Sequence, residues 1–494
     1  MITEFDWSAR WRLYTPEQIA VKEALTGRAL TYAELDLAAA RLANYLKARG
    51  LQRGDRLAIL AEFSLEHIVL FSVAQKTGIV LVPLNYRLAA REIDYLIGDA
   101  APVLLVYTSK YKTLLEDAPQ AQGIGWCNME EITAAMGDEQ LFAELVAVQL
   151  EENDPVFILY TSGTTGFPKG ATYTHKMLVW NSLNTALRLQ ITGNDRTLMC
   201  MPPFHTGGWN VLTTPFLHFG ATVVLLPQFE AELVMALLER EQINVFMVVP
   251  TMIKMLSESQ AFEATDLSHL RYFIVGGEAL PIPVIEAWNK KGVPIRQGYG
   301  LTEVGPNVTS LPQEDVIRKI GSIGFPNFYL ETRLVDADGK EVKGAGTGEF
   351  WLKGDVVTPG YWKHPEATAE AITDGWFHTG DLLRRDDEGY LYVVDRLKNM
   401  FISGGENVYP AEVEKYLLTH PAISEAVVIG VVDEKWGEVG KAFIVLKTEG
   451  KLDEAQLKAY CIGELAKFKV PKSFVFVDEI PKNDSGKLDR KRLV

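Results

Sequence analysis

The chain has 494 residues, which is long enough for about three ordinary domains. Apolar residues make up 47% of the sequence, so large cores can be buried and extensive disorder is excluded. The net charge of −15 argues against nucleic acid as a main partner, because phosphate backbones are bound by basic surfaces.

The cellular location is predicted from the cysteines and the apolar runs. Cys127, Cys200 and Cys461 have neither metal-binding nor pairing spacing, which suits a reducing compartment. The first residues lack the pattern of a signal peptide, and no uncharged apolar run reaches the ~18 residues of a membrane span. We expect a soluble cytoplasmic protein with no integral membrane segment; peripheral membrane contact and oligomeric state stay open.

Strands alternate with helices over the first 300 residues. Thr31 and Glu34 form a predicted capping box that opens a helix ending near Gly50, with Leu35, Ala39, Leu42 and Leu46 on one face. Strands that alternate with helices in this way indicate parallel sheets covered on both faces. The predicted strands are 56–60, 79–83, 103–106, 221–226, 245–249 and 272–275.

The texture changes after residue 320, where short strands and many turns predict a β-rich subdomain over 321–394. A small α+β pattern follows Asp395, with helices near 410–418 and 453–467 and strands near 426–432, 441–446 and 473–477. We therefore predict an α/β fold: a large N-terminal domain (1–395) of mixed sheets flanked by helices plus a β-rich subdomain, a hinge (396–399) and a small mobile α+β C-terminal domain (400–494).

The segment from Tyr160 to Gly170 has the composition of a phosphate-binding loop. It follows a short apolar run, Val156 to Leu159, that is predicted to form a buried strand, and it lacks the spacing of the common P-loop. Glycines bring backbone N–H groups close to an anion, hydroxyls add neutral donors and a lysine adds positive charge. The candidate residues are Thr161, Ser162, Gly163, Thr164, Thr165 and Lys169.

A second motif runs from Gln297 to Glu303. Tyr299 offers a flat face to a purine, Thr302 a hydroxyl to a phosphate and Glu303 a hard oxygen ligand to Mg²⁺. Gln297, Gly298 and Gly300 complete the motif.

Three shorter signals follow toward the C-terminus. Asp381, in Thr-Gly-Asp, can accept two hydrogen bonds from ribose hydroxyls, and Arg396 can bind ribose or phosphate. Lys487 follows a glycine turn seven residues from the last residue. Each signal is weak by itself, because turns and basic tails of this composition are common.

Taken together, these motifs resemble the adenylate-forming superfamily, which includes acyl- and aryl-CoA synthetases, luciferases and peptide-synthetase adenylation domains. The resemblance covers nearly the whole chain and is greatest to bacterial fatty-acyl-CoA synthetases. It implies that Tyr299 and Gly277, Glu278 and Ala279 hold adenine, and that Asp381 and Arg396 bind ribose. It also implies that Thr302 contacts the α-phosphate, that Glu303 and Thr161 bind Mg²⁺, and that Lys487 contacts the carboxylate and α-phosphate during adenylation.

The resemblance further implies a rotation of the C-terminal domain about Lys398. This movement withdraws Lys487 and presents a loop in which Gly404 and Gly405 admit the narrow pantetheine arm of CoA. The expected partners are therefore ATP, Mg²⁺, CoA and a small carboxylic acid.

The acid is predicted from the segment Pro202 to Trp209, which resembles the family's acyl-pocket lining, with His205 as the gating residue. It carries no aspartate to pair an amino-acid ammonium group, and a charge-free pocket favours an apolar acid. Gly298 stands where short-chain acetate enzymes have tryptophan, and Gly298 and Gly300 predict a deep pocket. Pro306 and Asn307 match aryl-pocket positions of plant coumarate ligases, but Asn307 is polar where an aliphatic residue is usual.

We therefore expect a ligase for medium- to long-chain fatty acids that forms an acyl-adenylate, releases pyrophosphate and then AMP. The alternatives are an aryl- or phenylpropenoate-CoA ligase and a stand-alone adenylation enzyme that loads a carrier protein. The non-enzymatic alternative is a nucleotide-binding regulator without catalysis.

Overall fold

The computed structural model describes residues 4–141, 148–161, 168–276, 280, 282–403, 406–447, 452–462, 464–482 and 488–493. The chain divides into two compact units, Met1–Glu331 with Leu352–Phe377, and Thr332–Trp351 with His378–Val494. These units are defined by packing. The predicted boundary at residue 395 and the hinge at 396–399 concern motion as well, and they stay predictions.

The first unit contains a six-stranded sheet that carries the phosphate-loop segment. Its first five strands are parallel and the last pairs antiparallel. The predicted strands 56–60, 79–83 and 103–106 are confirmed, with ends shifted by one residue at most, and the strand predicted at 156–159 is longer, Pro155–Thr161. In spatial order the strands are Gly125–Asn128, Leu104–Tyr107, Arg56–Leu60, Val80–Pro83, Pro155–Thr161 and Lys169–Thr174.

A second sheet of the first unit carries the motif around Tyr299. Three parallel strands are followed by two short antiparallel ones. The spatial order is Val245–Val248, Tyr272–Val275, Ile295–Tyr299, Thr309–Ser310 and Phe325–Pro326. A third sheet has the order Ala29–Thr31, Ile19–Glu23, Thr222–Leu225 and Arg196–Met199.

Helices cover these sheets, and the predicted capping box is confirmed. The Thr31 hydroxyl accepts from Glu34 N at 3.2 Å, and the Glu34 carboxylate accepts from Thr31 N at 2.8 Å. The helix buries its predicted apolar face against the core. The α-helices of this unit are Trp7–Tyr14, Tyr32–Ala48, Leu65–Thr77, Ala90–Ala100, Lys112–Glu116, Met129–Gly137, His175–Leu189, Thr206–Trp209, Thr213–His218, Ala231–Arg240, Pro250–Ser257, Ile282–Lys290 and Pro365–Ala371.

The β-rich character predicted for 321–394 is confirmed by the strands Glu331–Val335, Gly346–Lys353, Ile372–Thr373, Trp376–Arg385 and Leu391–Arg396. A five-stranded sheet lies wholly in the second unit and is made of Glu406–Val408, Phe401–Ser403, Gly437–Leu446, Ile423–Asp433 and Ser473–Phe476.

Two α-helices accompany that sheet, Pro410–Leu417 and Glu454–Ile462. The second is shorter than the predicted 453–467, and Gly463, a poor helix former, follows it directly in the sequence. Within the described ranges, no helix is both long and apolar enough to cross a membrane.

Candidate active site

The phosphate-loop segment connects two paired strands of the six-stranded sheet. Pro155–Thr161 and Lys169–Thr174 are antiparallel, and Thr161 lies opposite Lys169 in the register. The strand predicted before the loop is confirmed. Of the predicted loop residues, Ser162, Gly163, Thr164 and Thr165 lie outside the described residues. The structure therefore gives the two ends of the loop, each of which presents one candidate side chain.

Glu303 is a buried carboxylate next to the first end of this loop. It lies in a single 3₁₀ turn, Thr302–Val304, and is 8% exposed. Its Oε1 accepts a hydrogen bond from the Thr161 hydroxyl at 3.2 Å and another from the Tyr361 hydroxyl at 3.1 Å. The structure thus brings together the two residues, Thr161 and Glu303, that the sequence predicted as Mg²⁺ ligands.

This oxygen-rich group fits a magnesium ion that is shared with phosphates. Carboxylate and hydroxyl oxygens are the hard ligands that Mg²⁺ prefers, and Mg²⁺ usually binds through one or two carboxylates together with substrate phosphates and water. No group of three or more His, Cys, Asp or Glu side chains that could hold a metal occurs in the described parts of the chain. The Thr161 and Glu303 oxygens suit an ion whose remaining ligands are phosphate oxygens and water.

The second motif, Gln297 to Glu303, begins in the strand Ile295–Tyr299 of the first unit. Tyr299 and Thr302 are partly buried, whereas Gln297 is buried. A Cβ at Gly300 would lie 2.0 Å from Pro306 O, and one at Gly298 would lie 3.2 Å from Thr309 O. The missing side chains at these two positions permit close backbone packing, and the deep pocket expected from them stays a prediction. Gly277, Glu278 and Ala279 lie outside the described residues.

The predicted acyl segment is anchored by a buried tryptophan. Trp209 donates from Nε1 to Pro203 O at 2.7 Å and packs on Phe63, with the ring centroids 4.8 Å apart. His205 is partly buried, and its ring meets that of Phe204 at 4.5 Å. The anchored tryptophan holds His205 at the start of the helix Thr206–Trp209.

The polar side chain of Asn307 forms hydrogen bonds that the sequence did not reveal. Its side-chain amide donates to Val211 O at 3.0 Å and to Asn210 O at 3.2 Å, and also to the Thr185 hydroxyl. These bonds tie the turn after Glu303 to a neighbouring helix and loop. The polar side chain of Asn307 therefore anchors the backbone of its neighbours.

In the second unit, the two predicted ribose ligands lie side by side. Asp381 and Arg396 are directly opposite in antiparallel strands, and Arg396 Nε lies 3.0 Å from Asp381 Oδ1. The Asp381 carboxylate is nearly buried while the Arg396 side chain is 43% exposed. This pairing joins residues of two weak motifs into one polar group.

The segment after Arg396 is fixed by Asp395, a residue that the sequence-based prediction used only to mark a boundary. Its buried carboxylate accepts from Arg396 N at 2.7 Å, Ala411 N at 2.8 Å and Asn399 Nδ2 at 3.1 Å. Lys398 lies in the short turn Leu397–Asn399 with an exposed side chain. The remaining candidates, Gly404, Gly405 and Lys487, lie outside the described residues.

Tyr361 was missed by the sequence-based prediction. It lies in Pro-Gly-Tyr-Trp, 58 residues beyond Glu303, in a stretch with no phosphate-loop or metal-ligand spacing. An aromatic residue after Pro-Gly is an ordinary turn signal. Only the contact with the Glu303 carboxylate reveals its connection to the site.

Comparison with known proteins agrees with this geometry. Residues 9–362 match the family model described as AMP-binding enzyme, and residues 412–487 match the AMP-binding enzyme C-terminal domain. Similar curated proteins include a feruloyl-CoA synthase from Amycolatopsis (38% identity, covering 98% of this chain and 96% of the relative) and the long-chain-fatty-acid–CoA ligase FadD13 from Mycobacterium tuberculosis (37%, 98% and 96%). A 2-succinylbenzoate–CoA ligase from Bacillus mycoides is 35% identical over 100% of this chain and 98% of its own length.

Two solved structures illustrate the likeness of the fold. A fatty acyl-CoA synthetase from M. tuberculosis has a TM-score of 0.81 at 36% identity, covering 99% of this chain and 97% of the other. The o-succinylbenzoate CoA synthetase of Bacillus subtilis in complex with ATP and magnesium has a TM-score of 0.88 at 33% identity, covering 99% of both chains.

The chain therefore belongs to the family of AMP-binding enzymes. Within this family it is an AMP-forming acid–CoA ligase, for which ATP, Mg²⁺ and CoA are the cofactors. The predicted family, fold class, enzyme class and cofactors are confirmed.

Proposed function

We propose that this enzyme joins a medium- to long-chain fatty acid to CoA through an acyl-adenylate. One observation carries the choice of acid: the segment Pro202 to Trp209 has no acidic or basic side chain apart from His205, and it is backed by flexible apolar groups. The terminal methyls of Met247 and Met201 lie 3.7 and 3.8 Å from the Cβ position of Gly207. Unbranched methionines adapt to ligands of varied shape, which suits a flexible acyl chain.

The first half-reaction joins the acid to AMP. A carboxylate oxygen attacks the α-phosphorus of ATP, the new O–P bond forms, and the bond to pyrophosphate breaks. Both reactants are anionic, so positioned positive charge lowers the barrier. We assign this charge to Lys487 and Lys169, with Thr302 at the α-phosphate. Glu303 and Thr161 would hold Mg²⁺, which when bound neutralises phosphate charge.

We assign binding of the nucleoside to the motif around Tyr299, to residues 277–279 and to Asp381. Tyr299 would stack on adenine together with Gly277, Glu278 and Ala279, and Asp381 would accept hydrogen bonds from ribose hydroxyls. The 3.0 Å contact between Arg396 and Asp381 supports this role, because it places the two expected ribose ligands side by side as one polar pair.

The second half-reaction transfers the acyl group to CoA. The thiolate of CoA attacks the acyl carbon, a C–S bond forms and the C–O bond to AMP breaks. We propose that residues 396–399 act as the hinge between the two steps and that Gly404 and Gly405 admit pantetheine. The feruloyl-CoA synthase and the 2-succinylbenzoate–CoA ligase among the relatives have names that indicate aryl acids, so the acid requires a direct test.

The acid is tested by pyrophosphate release with ATP and Mg²⁺ across a panel of fatty acids, benzoate and cinnamates, each with and without CoA. Turnover that depends on CoA and peaks on fatty acids supports the proposal. A peak on aryl acids would replace the substrate and leave the mechanism unchanged. Pyrophosphate release without acyl-CoA product would indicate a carrier protein as acceptor.

The role of Lys487 is tested by separating the half-reactions. We expect Lys487→Ala to slow adenylation by about 10²–10³-fold, the range typical of losing one electrostatic contact to a transition state. The transfer of a supplied acyl-adenylate to CoA should be unchanged. Lys482→Ala is the matched control, because Lys482 pairs with Glu425 at the exposed surface. Near-normal adenylation by Lys487→Ala would contradict the assignment.

A further inference from the structure

The Glu303 carboxylate is held asymmetrically. Two hydroxyls, those of Thr161 and Tyr361, donate to the same oxygen, Oε1, at 3.2 and 3.1 Å. No described residue donates a hydrogen bond to Oε2 of Glu303. Among the described residues, one oxygen therefore takes two protein hydrogen bonds and the other takes none.

The backbone of Tyr361 is attached to the strand that follows the phosphate loop. Tyr361 forms a β-bridge with Ala171, and Trp362 N donates to Gly170 O at 2.8 Å. Tyr361 N also donates to the Thr368 hydroxyl at 2.9 Å. These bonds fix the phenol relative to the loop end rather than leaving it on a free surface turn.

The same segment also holds the backbone of Glu303. Thr358 N donates to Glu303 O at 2.7 Å, and the Thr358 hydroxyl donates to Thr172 O at 2.7 Å. A Cβ at Gly360 would lie 2.4 Å from the Thr368 methyl group, so this close turn requires glycine. Residues 358–362 therefore link the loop hairpin and the 3₁₀ turn of Glu303 into one rigid group.

The Tyr361 side chain is a phenol, which is an O–H donor at neutral pH because its ordinary pKa is about 10. The ammonium group of Lys169 lies 5.6 Å from the centroid of the Tyr361 ring, so the same side chain contacts the second end of the loop.

We propose that Tyr361 is a positioning residue of the magnesium site. Together with Thr161 it occupies Oε1 of Glu303 and leaves Oε2 for the cation. The proposal rests on the metal role of Glu303 in the proposed function. Residues that hydrogen-bond to a metal ligand orient it, and their loss typically weakens metal binding by about 10–100-fold.

Tyr361→Phe is the direct test, because it removes the hydroxyl and keeps the ring. We expect the concentration of Mg²⁺ that half-saturates adenylation to rise by about 10-fold, while kcat at saturating Mg²⁺ stays within a few-fold of the wild type. The second readout is binding: Mn²⁺ titrated by electron paramagnetic resonance, with a non-hydrolysable ATP analogue present, should bind more weakly by the same factor.

Tyr173→Phe is the matched control. Tyr173 lies in the same hairpin strand, is fully buried, and its hydroxyl has no hydrogen-bond partner among the described residues. Its removal should leave the Mg²⁺ and Mn²⁺ titrations unchanged. If Tyr361→Phe also binds Mn²⁺ like the wild type, the proposal is wrong.

A Glu303→Gln variant separates this proposal from the proposed function. If Glu303→Gln weakens Mn²⁺ binding and Tyr361→Phe does not, the metal role of Glu303 stands and the positioning role of Tyr361 fails. If Glu303→Gln leaves Mn²⁺ binding unchanged, the metal assignment itself fails. Tyr361→Phe added to Glu303→Gln should have no further effect on Mn²⁺ binding, because the oriented carboxylate is already lost.

Discussion

Three histidines make the first unit sensitive to mild acid. His67 and His175 are fully buried, His218 is partly buried, and this burial lowers the pKa of each from 6.5 to about 4. The ring of His175 lies 5.0 Å from that of Phe5, and His218 stacks on Trp7 at 4.2 Å. These contacts suit neutral imidazole, because a charged ring would lose its hydration and neither ring forms an ion pair with a described residue.

The sign and size of the effect follow from proton linkage. Above the unfolded pKa of 6.5 both states are neutral, and below it the unfolded chain binds protons that the folded chain excludes down to about pH 4. Between pH 7 and about pH 5.5, each histidine removes about 1 kcal/mol from the free energy of unfolding, or about 3–4 kcal/mol for all three. Carboxylates whose pKa is lowered, such as Asp36, act at lower pH.

The assay is denaturant unfolding followed by tryptophan fluorescence at about pH 7 and about pH 5.5. His175→Gln should reduce the difference between the two midpoints by about one third, because one of three equivalent groups no longer titrates. Neither ring nitrogen of His175 has a hydrogen-bond partner among the described residues, so the substitution removes no such bond.

His269→Gln is the control, because His269 is exposed. It should leave the difference between the midpoints at the two pH values unchanged. A wild-type midpoint that does not fall between these pH values would refute the reasoning, as would a full wild-type difference in His175→Gln.

Two further predictions concern packing. Arg490→Met leaves the Glu414 carboxylate, which is 8% exposed, without its guanidinium partner. We expect the free energy of unfolding of the second unit to fall by about 3 kcal/mol, seen as a lower denaturant midpoint. An unchanged midpoint would contradict this. Gly300→Ala places a Cβ 2.0 Å from Pro306 O. It should lower the free energy of unfolding by about 1–3 kcal/mol, so that the melting temperature and the adenylation rate fall together. Gly123→Ala, which meets nothing within 4 Å, should melt like the wild type, and equal melting of both variants would show that the turn at Gly300 yields freely.

Local signals in the sequence determined a large part of the fold. The Thr31–Glu34 capping box and the apolar face of its helix depend on hydrogen bonds and side chains three or four residues apart, so a short stretch specifies them. The alternation of strands and helices likewise indicates parallel sheets. The helix at Glu454–Ile462 was placed correctly but ends earlier than predicted.

The sequence also determined the class of enzyme, because the residues that handle ATP occur in recognisable short motifs. It predicted that Thr161 and Glu303 act together although 142 positions separate them, and the structure joins them by a hydrogen bond. That prediction came from resemblance between whole motifs, since neither residue by itself carries information about the other.

Only the tertiary structure revealed how the carboxylate is oriented and why certain residues stand where they do. Tyr361 reaches Glu303 across 58 positions, and the Asn307 amide serves carbonyls 96 and 97 positions away. The close approach of the Pro306 backbone to Gly300 is likewise visible only in the folded chain. Such contacts form when separate elements pack. The residues involved therefore show no local periodicity or spacing from which the contacts could be predicted.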